Sequence, residues 1–167
     1  MTVPDNLPAV NAPLPWQAQD WSRLGLQVQN RLLPHGLLLD GPQAIGKAQF
    51  ALALARLLLC QQPQDGLNCG RCHPCELSAS GSHGDFRWLQ PEGKSRVIKI
   101  DQVRQLVEFA TKTASFGKRK VVVLSPANSM NISAANALLK SGSTVTRPGS
   151  YPLSVLTNSR EYRELIS

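Results

Sequence analysis

Between Trp16 and Leu33 the apolar residues Trp21, Leu24, Val28 and Leu32 recur at three- and four-residue steps, with polar residues between them. That spacing predicts an amphipathic helix, and Pro34-His35-Gly36 is expected to stop it. The run LLLD predicts a short buried strand, and Gln49 to Leu59 predict an apolar helix. FRWLQ and RVIKI are short strand candidates further on. Asp101 is a good N-cap for the helix QVRQLVEFATKT, whose Val103, Leu106, Val107 and Ala110 fall on one face. KVVVL, Lys120 to Leu124, is β-branched through its centre and does not alternate, which suits a parallel strand covered on both faces. MNISAANALLK predicts a further helix and YPLSVLT another strand. Strands alternating with helices imply a doubly wound α/β domain with a mainly parallel sheet.

Residues 1–15, MTVPDNLPAVNAPLP, show no periodicity and are expected to form a flexible leader. The 167 residues suffice for one ordinary core, and 42% hydrophobic with 17% charged residues describe a globular chain. No apolar stretch approaches the roughly 20 residues that span a bilayer. LALARLLL is interrupted by Arg56 and reads as a buried helix. No secretion signal opens the chain, so a cytoplasmic location is expected. A net charge of +7 permits contact with a polyanion, but the basic residues are scattered. The one dense run, Lys118-Arg119-Lys120, reads as a solvated turn before a strand. Few aromatics stand beside the charges, so no surface for stacking single-stranded bases is signalled.

The four cysteines have the spacing C-x8-C-x2-C-x2-C: Cys60, Cys69, Cys72 and Cys75. Two CxxC turns present thiolates at separations that suit a tetrahedral zinc ion, and Gly70 and Pro74 help the chain bend between them. Disulfides do not persist in a reducing cytoplasm. Redox chemistry and unligated thiols remain as alternatives. Four cysteines close the coordination shell, so the expected zinc is structural and supports no catalysis. His73 is expected to face solvent, and His83 to be structural.

GPQAIGKA, Gly41 to Ala48, stands between the LLLD strand and the following helix. It has the form G-x-x-x-x-G-K of a phosphate loop, whose amides cradle phosphates while the lysine meets the terminal ones. Gly41, Gly46 and Lys47 are present, but Ala48 replaces the hydroxyl residue that would hold magnesium. The acidic pair expected at the end of KVVVL is replaced by Ser125-Pro126. Two separate defects predict that the chain does not hydrolyse ATP. Weak nucleotide binding at the loop and a turn kept only for packing both stay open.

The order of these motifs, followed by SGSHGDF and SAANALLK, resembles the bacterial clamp-loader AAA+ subunits. The resemblance covers residues 15–140 well and 150–160 loosely. It implies an AAA+ parallel sheet flanked by helices over 16–167, truncated before the lid and collar, with a zinc module at 60–80 inserted. Family members that hydrolyse ATP (tau and gamma) carry a complete loop and acidic pair, so this chain resembles the non-hydrolysing members. Their role is that of a stator in a ring that places a sliding clamp on primed DNA. The implied partners are the gamma, tau and delta subunits, and through them the clamp and DNA, with no membrane. The chain departs from the family after Lys140, where SGSTV replaces a leucine, two acidic residues and proline. It also stops before the segment that supplies an arginine to a neighbour and before the collar that assembles the ring, and without the collar the isolated chain is expected to be a monomer. Asn158 falls near the family's sensor position, where a loop-end cap is the plainer expectation. Arg104 and Lys112 are candidates to face DNA in the ring, against a solvated helix face. Two other classes remain: a P-loop ATPase that needs partner residues, and a zinc-dependent nucleic-acid module. Against the latter, Arg71 is the single basic residue between Cys60 and Cys75.

Overall fold

The computed structural model describes residues 6–34, 36–116, 119–142 and 153–159, with side chains left aside at 139–142 and 153–159. Its elements are α1 (Ala18–Gln29), β1 (Gly36–Gly41), α2 (Lys47–Leu59), α3 (His73–Ala79), β2 (Phe86–Leu89), α4 (Ile100–Thr111), β3 (Val121–Leu124), α5 (Ile132–Gly142) and β4 (Leu153–Ser159). The four strands form one sheet in the order β1-β4-β3-β2, and every pairing is parallel. All strands therefore end at one edge, where β1 opens into the GPQAIGKA loop.

β3 shows why its sequence does not alternate. Val121 and Val123 enter a cluster with α2, while Val122 and Leu124 enter a second cluster with α4 and α5. All four are at most 1% exposed. A strand with a helical layer over each face has no polar face to show. On the first face lies α2, whose Ala/Leu run has high helix propensity and is buried from Phe50 to Leu59. Trp21, Leu24 and Val28 of α1 close that cluster, and Trp21 meets Phe50 edge-on at 5.3 Å. Val103, Leu106 and Phe109 of α4 close the other. Each fully buried Leu, Val or Phe contributes about 1.5–3 kcal/mol.

Several expectations are corrected. Helix α1 ends at Gln29, because Arg31 takes a left-handed φ of 57°. Leu32 consequently leaves the apolar stripe and is 71% exposed. β1 is not buried: it is an edge strand, and its Leu38 is 59% exposed opposite the covered Leu37 and Leu39. RVIKI forms no strand. Ile98 makes a single bridge to Met130, donating to Ser129 O at 2.7 Å, and its side chain is fully buried. The N-cap of α4 is Lys99, whose amide donates to Gln102 Oε1 at 2.9 Å, and Asp101 sits in the first turn.

The leader expectation also fails over residues 6–15. Leu7 packs on the α2 cluster and donates to Ala79 O at 3.2 Å, and Asn11 is buried. The prolines and asparagines that gave the segment its loop-like composition serve a stretch fixed by hydrogen bonds rather than by apolar periodicity. Residues 1–5, His35 and Lys118 lie outside the described residues, as does SGSTV beyond Gly142.

Candidate functional site

Cys60 caps the C-terminus of α2, Cys72 caps the N-terminus of α3, and Cys75 lies one turn into α3. Gly70, with φ 72°, turns the chain between Cys69 and Cys72. Upstream, Asp65 and Gly66 both take left-handed φ angles in a tight turn bridging Gln64 to Leu67. The turn is tied to α1 by Trp21 Nε1, which donates to Gly66 O at 3.1 Å. These turns gather the four sulfurs within 4.8 Å of one another.

The donor set fits a tetrahedral ion. Metal–sulfur bonds of ~2.3 Å place neighbouring sulfurs ~3.8 Å apart, and Cys60 Sγ lies 3.9 Å from Cys72 Sγ. The sulfurs already accept hydrogen bonds, Cys60 from the Cys69 amide at 3.3 Å and Cys75 from Asn68 Nδ2 at 3.5 Å. Burial pushes the Cys60 thiol up to about 12 and also raises Cys75. The Arg71 amide, with that of Cys72, lowers Cys69 to about 6. Buried thiols of this kind ionise when a cation pays the cost of desolvation. The arrangement can hold one metal ion with no open ligand position. His73 stays outside it, its side chain 67% exposed beside Glu76.

Sequence reasoning missed the residue behind the lobe. Arg56 is fully buried in α2. Its Nε donates to Ser78 Oγ at 3.1 Å, and its Nη2 to Ala9 O at 3.0 Å and Cys75 O at 3.2 Å. Its Nη1 donates to Pro8 O and Asn11 Oδ1. Burial lowers its pKa, opposed by Cys75 and Cys60. A lone arginine inside an apolar helix was the available signal, since such a charge needs partners.

In the glycine loop, Ala44 and Gly46 take left-handed φ angles of 59° and 86°, and Gly46 is the N-cap of α2. Lys47 begins that helix, and its ammonium turns back to Gly41 O at 2.9 Å and to Pro42 O. Gln17 Nε2 donates to Ile45 O at 3.1 Å and Gly46 O at 3.2 Å, and Trp16 Nε1 to Ile45 O at 3.2 Å. A side chain on Gly46 would run into Leu14 Cδ1, so Leu14 lies directly against the loop. Ser125-Pro126 follows β3 and Asn158 pairs with Asp40, both at the same edge of the sheet. The structure thus brings Gly41, Gly46 and Lys47 together with both positions of the missing metal chemistry.

Arg104 and Lys112 lie elsewhere, on α4 and at its C-cap. Each is exposed and holds a local acid, Asp101 at 3.4 Å and Glu108 at 3.1 Å. His83 is buried, its Nδ1 accepting from the Asp85 amide at 3.0 Å. Asp85 accepts from the Ser115 and Phe116 amides at 2.8 and 2.9 Å, which fixes the loop leading to β3. Among the described residues no helix is long and apolar enough to cross a membrane.

Fold and site together define a parallel α/β domain carrying a glycine-rich loop and a four-cysteine lobe. A family model described as DNA polymerase III, delta subunit, matches residues 16–163, and the chain belongs to that family. It is 50% identical over 127 residues to DNA polymerase III subunit delta' of Pseudomonas aeruginosa, covering 76% of this chain and 38% of that relative. The corresponding protein of Escherichia coli is 37% identical over 126 residues, 75% of this chain and 38% of the relative. A solved gamma subunit-related protein of Thermotoga maritima superposes with a TM-score of 0.59 at 20% identity, over 87% of this chain and 41% of that one. It shares the fold. The chain spans little more than a third of the length of these curated relatives.

Proposed function

We propose that the chain is the N-terminal AAA+ domain of a delta-prime clamp-loader subunit, which acts in DNA replication without hydrolysing nucleotide. In this reading residues 16–167 belong to the AAA+ domain and 60–80 are its inserted zinc module. Zinc, held by Cys60, Cys69, Cys72 and Cys75, cross-links the lobe and takes no part in chemistry. The gamma, tau and delta subunits are its partners in the cytoplasm. The sliding clamp and primed DNA are reached through the complex, where Arg104 and Lys112 are candidate DNA contacts.

One observation carries the non-hydrolysing part. The groups that would meet phosphates are engaged within the chain: Lys47 with the Gly41 and Pro42 carbonyls, and Gly46 with Leu14 and Gln17. Ala48 offers no hydroxyl for magnesium and Ser125 no carboxylate for magnesium and water, which supports the same reading. The relatives' names support the clamp-loader assignment.

The test is reconstitution of the complete subunit with gamma, delta and the clamp, followed by the rate of clamp loading on primed DNA. Lys47→Ala is expected to leave the rate unchanged within about twofold. A tenfold loss, with the subunit still incorporated in the complex, would make the loop a working nucleotide site and sink the stator reading.

A further inference from the structure

Two parts of this chain that are far apart in sequence touch one short segment. Its first half meets the cysteine lobe. Ala9 O accepts from Asn68 Nδ2 at 2.8 Å, the Asn11 amide donates to Asn68 Oδ1 at 2.9 Å, and Pro8, Ala9 and Asn11 all receive Arg56. Asn68 is only 1% exposed and holds Cys75 Sγ with the same amide nitrogen. The second half meets the phosphate loop. Gln49 Nε2 donates to Ala12 O at 3.4 Å, Leu14 fills the space over Gly46, and Trp16 and Gln17 hold the Ile45 and Gly46 carbonyls.

Between Asn11 and Leu14 there are three peptide steps, a reach of about 10 Å even when fully extended. Pro13 and Pro15 stiffen this stretch. Gln17 locks its end: its Oε1 accepts from the Leu14 amide at 2.9 Å while its own amide donates to Leu14 O at 2.9 Å. Slack to let one half move alone is therefore small.

We propose that residues 7–17 form a strap that couples the cysteine lobe to the phosphate loop, so that an ordered lobe holds Leu14 and Gln17 on Gly46. The strap makes the closed loop a property of the folded lobe rather than of the loop sequence alone. The coupling itself stands on Asn68, Arg56 and Gln17; its control by metal rests on the zinc reading above.

Native-state hydrogen exchange on the whole chain tests it, with metal content measured alongside. In Asn68→Ala, the Asn11 amide and also those of Leu14, Gln17 and Phe50, each hydrogen-bonded in the fold, should exchange about tenfold faster or more, while those of β3 stay slow. Asn11→Ala, made from the strap side, should reproduce both effects if Asn68→Ala does not fold. Faster exchange at Asn11 with Leu14, Gln17 and Phe50 unchanged in the folded variant would overturn the coupling. Chelation of zinc from the unmodified chain should accelerate both segments together. A chain that binds no zinc removes the metal reading only, since the variants report the coupling without it.

Discussion

The Arg56 guanidinium donates to the Cys75 carbonyl at 3.2 Å from inside the apolar, buried helix α2. One fully buried cation thus joins the core helix, the cysteine lobe and the N-terminal segment, with a partner for each nitrogen. Replacing it by Met should cost about 3–5 kcal/mol, because Pro8 O and Asn11 Oδ1 would lose their donor, while Ala9 O and Cys75 O would each keep one of two. Arg56→Lys should recover only part of that, since an ammonium cannot present the same planar fork. Urea unfolding of both variants measures the difference.

Removal of a sulfur ligand should act on the lobe before it acts on the sheet. Cys69→Ala is expected to abolish stoichiometric zinc binding and lower the melting temperature. The cobalt-substituted chain, with its thiolate absorption, provides the readout. The 60–80 segment gains little from its own apolar contacts, and its turns are fixed by ligand spacing. β3 and α2 should keep their protection from exchange, because their clusters draw on the two faces of the sheet. Loss of the whole fold on chelation would contradict this.

The parts legible in the sequence were those written in periodicity or in fixed spacing. KVVVL announced a strand covered on both faces, and Val121 to Leu124 divide between two helical layers as that requires. The cysteine spacing announced a lobe whose sulfurs converge. The misses share a physical cause. Leu38 and Leu32 are apolar but exposed, because burial depends on which strand lies at the edge and where a left-handed residue ends a helix. Residues 7–15 looked mobile because hydrogen bonds to distant carbonyls and amides leave no periodic trace. Asn68 and Gln17 carry those bonds, and neither residue type announces its partner.

Restoring one missing group should not restore a nucleotide site. Ala48→Thr supplies the absent hydroxyl at an exposed position of α2. Leu14 would still lie over Gly46, and Lys47 would still be held by the Gly41 and Pro42 carbonyls. The expected result is no saturable binding of a fluorescent ATP analogue up to about 100 μM, which corresponds to less than about 5.5 kcal/mol of binding free energy. Micromolar binding in the single variant would show that the hydroxyl alone was limiting.

Acid should weaken the fold partly through His83. His83 is 2% exposed against Phe116, its Nδ1 accepts from the Asp85 amide, and its Nε2 has no partner among the described residues. Burial therefore holds its pKa below the ordinary 6.5, with Asp85 opposing and His73 and Arg87 reinforcing. Below pH 6.5 the unfolded chain takes up a proton that the folded chain refuses, so stability falls as the solution is acidified. One such group contributes at most about 1.4 kcal/mol per pH unit until the folded pKa is reached. His83→Asn keeps an acceptor for the Asp85 amide but cannot titrate. Competition of protons for the cysteines weakens both proteins alike, so the difference in their stability slopes between pH 7 and 5 reports His83 alone. Parallel slopes would mean that the buried imidazole is protonated as readily in the folded chain as in the unfolded one.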